Sequence, residues 1–151
     1  MRTNSDKIAE PDERWATVQG AALVIGAVFV LIGVAGFIPG ITTAYHFMTW
    51  AGHHQGPKLL GVFEVSVLHN IVHLAFGVAG LLMARTVLRA RTFLVAGGVI
   101  YLILWMYGLL IDLRSAANFV PFNTADNWLH FALGAVMMLL GLTSPGRVGR
   151  S

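Results

Sequence analysis

Residues 15–38 read WATVQGAALVIGAVFVLIGVAGFI, a run without one charged side chain. A helix rises 1.5 Å per residue, so about 20 such residues cross a hydrocarbon core of about 30 Å. No water-soluble surface can be built from this stretch, and it sets the reading of everything around it. Three more apolar stretches follow, at 59–84, 93–111 and 128–142. The last reaches full length if its helix begins at Thr124, where Asn123 and Thr124 offer N-cap chemistry. Pro39-Gly40, Gly52, Gly56-Pro57, Pro121 and Pro145-Gly146 break the chain between and after the spans.

Composition agrees. The chain is 56% hydrophobic and 11% charged, with mean hydropathy +0.72; a soluble domain carries about 25% charged residues. The expected fold is therefore all-α: an integral membrane four-helix bundle with spans at about 15–38, 59–84, 93–111 and 124–142. Residues 1–14 form a polar, mobile cytoplasmic tail, 15–144 the membrane domain and 145–151 a second cytoplasmic tail. The first span is not a cleaved signal peptide, since its apolar core exceeds an h-region and no cleavage site follows. With no cysteine, disulfides, thiolate metal sites and cysteine nucleophiles are excluded. A net charge of +3 and a pI near 9.8 do not imply nucleic acid, because the basic residues sit in short clusters beside apolar runs.

Those clusters give an orientation. Eight of the ten Lys and Arg residues fall in the N-terminal tail, among Arg85, Arg89 and Arg91, and at Arg147 and Arg150; only Lys58 and Arg114 lie on the other side. The positive-inside rule places both termini in the cytoplasm and the two long loops outside a cell membrane that the chain crosses several times.

Asn70-Ile-Val-His73-Leu-Ala-Phe-Gly77 in the second span matches Asn127-Trp-Leu-His130-Phe-Ala-Leu-Gly134 in the fourth, with Asn, His, Ala and Gly in register. Both spans run from outside to inside, so the chain reads as two helical hairpins in a parallel pseudo-repeat. The first and third spans match only weakly. On the second span Ser66, His69, Asn70, His73, Gly77, Gly80 and Ala84 make one polar-to-small stripe, which must face protein because lipid satisfies no polar group. The first span offers a small-residue face through Ala22, Gly26, Gly33 and Gly36.

Around Leu68-His-Asn-Ile-Val-His73-Leu-Ala-Phe-Gly77 and Asn123-Thr-Ala-Asp-Asn-Trp-Leu-His130, the sequence resembles the actinobacterial membrane family catalogued as domain of unknown function 4383. The resemblance implies the four-span architecture and brings no activity, cofactor or catalytic residue.

All six histidines, His46, His53, His54, His69, His73 and His130, fall in the outer loop or outer half, and ionisable groups at membrane depth ask for a reason. The simplest is a structural polar core of Ser66, Asn70, His73, Asn127 and His130, with the Asn and His side chains hydrogen-bonding across the two-fold axis. A metal site is the alternative: His69 and His73, one helical turn apart, together with His130 and Glu64 or a loop histidine, suit zinc or copper. It lacks the general base of a zinc-protease motif, because Asn70 follows His69. Haem held between His73 and His130, with Gly77 and Gly134 leaving room for the macrocycle, is a third reading, and small-solute transport by a dimer a fourth. Asp126 falls where a helix dipole favours a carboxylate, Glu64 can snorkel or pair with Lys58, and Trp15, Trp50 and Trp128 fit interfacial anchors. No nucleophile–base set or phosphate loop is present. The expectation is a structural or accessory membrane protein and not an enzyme, with the lipid bilayer and either a homodimer mate or another membrane protein as partners, the protein partner docking through exposed small-residue faces.

Overall fold

The computed structural model describes residues 13–52 and 56–143; the terminal tails, and with them Arg147 and Arg150, lie outside the described residues, as do His53 and His54. The four expected helices are present: α1 (Glu13–Ala35), α2 (Val67–Met83), α3 (Val87–Leu110) and α4 (Thr124–Thr143). A small antiparallel sheet of β1 (Thr42–Thr43), β2 (Lys58–Leu59) and β3 (Phe63–Glu64), in the order β1-β2-β3, lies between α1 and α2. Both long connections are at one end of the bundle, hereafter the loop end. The short turn between α2 and α3 is at the other.

Three helices, over Thr17–Ala35, Val87–Leu110 and Thr124–Thr143, are long and apolar enough to cross a membrane. The second differs from the sequence reading. Its helix covers only 17 residues, about 25 Å, because residues 59–66 are not helical. Leu60 (φ 54°) and Gly61 (φ 72°) take left-handed backbone and close the β2–β3 turn. Ser66 then starts α2 from extended backbone, its Oγ accepting from the His69 backbone N at 3.1 Å. The third helix starts earlier than Phe93, at Val87 behind the Thr86 cap, so Arg89 and Arg91 belong to its first two turns and not to a loop.

Helices pair through glycine. A Cβ on Gly26 would lie 2.8 Å from Leu81 N and 2.9 Å from Gly77 O, and one on Gly98 would lie 2.9 Å from Met138 N and 3.0 Å from Gly134 O. No side chain larger than hydrogen fits at either α1–α2 or α3–α4 crossing, so the backbones touch. The alignment that lays Asn70 on Asn127 thus lays the α1–α2 crossing on the α3–α4 crossing. With Gly26 laid on Gly98, the buried Val18, Ala22 and Phe29 of α1 and Gly36 just beyond it fall on the buried α3 residues Ala90, Leu94, Tyr101 and Gly108. The duplication therefore covers both hairpins, although α1 and α3 share little beyond the pattern of buried positions and two glycines.

The hairpins meet over a core of Phe29, Phe76, Phe93, Leu94, Tyr101 and Met137. Phe29 and Tyr101 are equivalent in the repeat and their ring centroids are 5.3 Å apart, which puts the pseudo-two-fold axis between them. The outward faces are apolar, with Leu31 67%, Ile103 61% and Leu139 61% exposed. Apolar faces of that extent suit lipid and not water. Gly26 and Gly33 of α1, and Gly36 just beyond it, all face α2 inside the bundle.

Candidate functional site

Just inside the loop end, the two hairpins exchange hydrogen bonds in a repeated pattern. Ser66 caps α2 and Asn123 caps α4, the Asn123 Oδ1 accepting from Ala125 N at 2.8 Å and Asp126 N at 3.1 Å. Three residues into each helix stand His69 and Asp126, equivalent in the repeat. His69 Nδ1 donates to the Pro121 carbonyl at 2.9 Å; a carbonyl only accepts, so the proton is on Nδ1. Asp126 Oδ2 accepts from the Glu64 backbone N at 2.9 Å and from Asn123 N at 2.8 Å, the latter completing a capping box. Pro121 and Glu64 each lie two positions before a helix cap. Each hairpin therefore reaches from the same place in its second helix to the same place in the other hairpin. Ser66, His69, Asp126, Glu64 and Pro121 are buried and Asn123 is partly so.

One turn deeper the equivalent pairs Asn70 and Asn127, and His73 and His130, face inward. A Cβ on Gly36 would fall on the Asn70 side-chain amide, and one on Gly108 on that of Asn127; each asparagine occupies the space a glycine leaves on the partner helix. The expected hydrogen-bonded Asn–His core is corrected here. Asn70 Nδ2 and Oδ1, Asn127 Oδ1, His73 Nδ1 and His130 Nδ1 are enclosed and have no hydrogen-bond partner among the described residues. Each amide is held by shape against the glycine of its own hairpin's first helix or helix end. The imidazoles instead lie among rings: His73 is 4.5 Å from His69 and 5.7 Å from Phe29, and His130 is 5.3 Å from both Tyr101 and Phe122, between centroids.

His69, His73 and His130 line one cavity of about 150 Å³, closed on the α3 side by Tyr101 and Leu104 and above by Phe122. A second, of about 210 Å³, lies across His69 and His73 against Ile32, Val65, Asp126 and Leu129. Glu64, the fourth ligand of the sequence-derived metal set, lines neither. It borders a separate polar cavity with Lys58 and Arg114 at the loop end. Among the described residues no group of three His, Asp or Glu side chains is arranged to hold a metal ion. The structure thus brings the three histidines together and leaves Glu64 apart. A cavity of this size takes about one benzene ring, so a haem macrocycle between His73 and His130 does not fit without the helices parting. His46 is exposed in the first long loop, its ring 3.9 Å from that of Phe47.

Several residues that build this end escape the sequence reading. Asn118, 1% exposed, donates to Leu113 O and Phe122 O at 2.9 Å each and accepts from Phe122 N at 3.2 Å, folding the second long loop around itself. Thr42 Oγ1 donates to the Ala35 and Gly36 carbonyls at 3.2 Å, closing the C-terminus of α1. Tyr101 and Phe29 carry the axis. An asparagine in a loop gives no sign of this, and a bulky tyrosine such as Tyr101 in an apolar span reads as a packing or interface anchor without showing that it stands on the axis.

Residues 19–143 match the family described as Domain of unknown function (DUF4383). The chain belongs to that family. The match runs from the first turns of α1 to the end of α4 and so contains both hairpins and the whole histidine cluster. No curated protein matches the chain, and no solved structure does.

Proposed function

We propose that this DUF4383 protein is a structural or accessory component of a cell membrane, a pre-assembled scaffold and not an enzyme, with its loop end outside and both termini in the cytoplasm. The observation that carries the reading is the reciprocal exchange at the loop end, His69 to Pro121 and Glu64 to Asp126. Interhelical hydrogen bonds in membranes are worth about 0.6–2 kcal/mol each. Two of them, at equivalent points of two hairpins, fix one relative placement among many apolar packings of similar energy. The polar atoms at the surrounding positions serve shape and register, and no nucleophile–base pair is formed from them. Zinc, copper or haem binding is less well supported, because Glu64 is directed to another cavity and the histidine cavity is one ring wide.

Purified protein tests this in two steps. An absorbance scan and elemental analysis should find no Soret band and no stoichiometric zinc or copper; either signal, lost in a His73→Ala/His130→Ala double variant, overturns the scaffold reading. Asp126→Ala removes the acceptor for two backbone N–H groups and should destabilise the bundle in detergent by about 2–4 kcal/mol. A loss below about 0.5 kcal/mol contradicts a load shared through this residue.

A further inference from the structure

The two cavities beside the axis are products of the duplication. Leu104, Val72, Phe122 and His69 line the first where Ile32, Leu129, Val65 and Asp126, their equivalents, line the second. Duplication accounts for there being two and not for their difference in chemistry. Tyr101 stands on the wall of the first cavity where the other half of the repeat has Phe29, and His130 joins it. Tyr101 is 3% and His130 6% exposed. Neither side chain hydrogen-bonds to a described residue; the Nδ1 of His130 is enclosed, which leaves its Nε2 and the Tyr101 hydroxyl as the polar atoms open to a ligand. A buried tyrosine hydroxyl ordinarily has a partner, and an unmet polar group in an apolar site is unfavourable.

Size and access narrow what would meet them. The volume, about 150 Å³, is that of an engineered cavity that takes benzene. Three of its walls are the rings of Tyr101, Phe122 and His130, with His130 5.3 Å from each of the others. Its rim includes Val72 and Phe119, 45% and 60% exposed, so it opens through the apolar side of the molecule between α2 and the second long loop. We infer that this cavity binds a single aromatic ring bearing a hydroxyl group, a ligand of the phenol class that arrives through the apolar surface. The ring fills a space bounded by aromatic faces. Its hydroxyl donates to the Nε2 of a neutral His130 imidazole and accepts from the Tyr101 O–H. The second cavity has no tyrosine in its lining and lacks that hydroxyl.

The test uses the full chain in detergent micelles, with 4-fluorophenol and fluorobenzene followed by fluorine NMR. The expected result is saturable binding of 4-fluorophenol and at least about tenfold weaker binding of fluorobenzene, the worth of one hydrogen bond. Tyr101→Phe, which removes a single oxygen, and His130→Leu should each narrow that preference, and Leu104→Trp should abolish binding of both probes by filling the space. Circular dichroism and thermal melting establish that each variant is folded, and Tyr101→Phe serves if His130→Leu is not. Absence of saturable 4-fluorophenol binding by the folded wild-type chain overturns the proposal. So does equal binding of the two probes, a preference untouched by Tyr101→Phe, or undiminished binding by a folded Leu104→Trp variant. None of these outcomes bears on the scaffold reading, which rests on the loop-end exchange.

Discussion

Asn70 is wholly buried and lies against a glycine on the neighbouring helix, and Asn127 repeats the arrangement with Gly108. The pairing is steric: a methyl group at Gly36 or Gly108 would occupy the amide's place. Gly36→Ala and Gly108→Ala should each destabilise the bundle by about 1–3 kcal/mol, as overpacking does. Combining Gly36→Ala with Asn70→Ala should cost less than the sum of the two single changes, since the second makes room for the first. Unfolding titrations of the four proteins in the cycle measure this, and strict additivity would contradict the contact. At this scale the sequence told a partial story. Asn70, His73, Asn127 and His130 stand out because polar side chains are rare in apolar helices, and their inward direction followed from lipid's inability to satisfy them. What they meet was not readable: Asn70 meets a hydrogen atom on Gly36, and His69 meets a backbone carbonyl, and neither partner has a side chain to betray it.

Each hairpin's second helix begins in the same way, with a cap at Ser66 or Asn123 and a buried side chain three residues on. Equivalent caps predict equivalent losses. Ser66→Ala should lower stability by about 1 kcal/mol and Asn123→Ala by at least as much, the latter losing bonds from two backbone N–H groups. Thermal melting in detergent checks the pair, and a neutral effect at either position would contradict the capping role. The start of α4 was legible because Pro121 and the run Asn123-Thr124 punctuate it. The start of α2 was not, since Leu59 to Val67 is apolar but for Glu64 and Ser66, and an apolar run does not distinguish a helix from short paired strands. Gly61 and Ser66 were the available signals, one for a left-handed turn and one for a cap.

The whole molecule is a pair of equivalent hairpins, α1 with α2 and α3 with α4, joined at the axis by Phe29 and Tyr101 and tied near the loop end by His69 and Asp126. Helix count and apolar surface followed from composition and run length. The duplication was visible in α2 and α4, where it is carried by chemically distinctive residues. It was nearly invisible in α1 and α3, where the pattern of buried positions and two glycines are preserved and Phe29 answers to Tyr101. This architecture makes one demand above all: both long loops on one side of the membrane, and the α2–α3 turn on the other. Since the chain contains no cysteine, single cysteines at His46, Ala116 and Thr86 can be labelled in intact cells with a membrane-impermeant maleimide. The account predicts labelling at 46 and 116 and none at 86 until the membrane is permeabilised. Labelling of 86 together with 46, or opposite behaviour of 46 and 116, would contradict it.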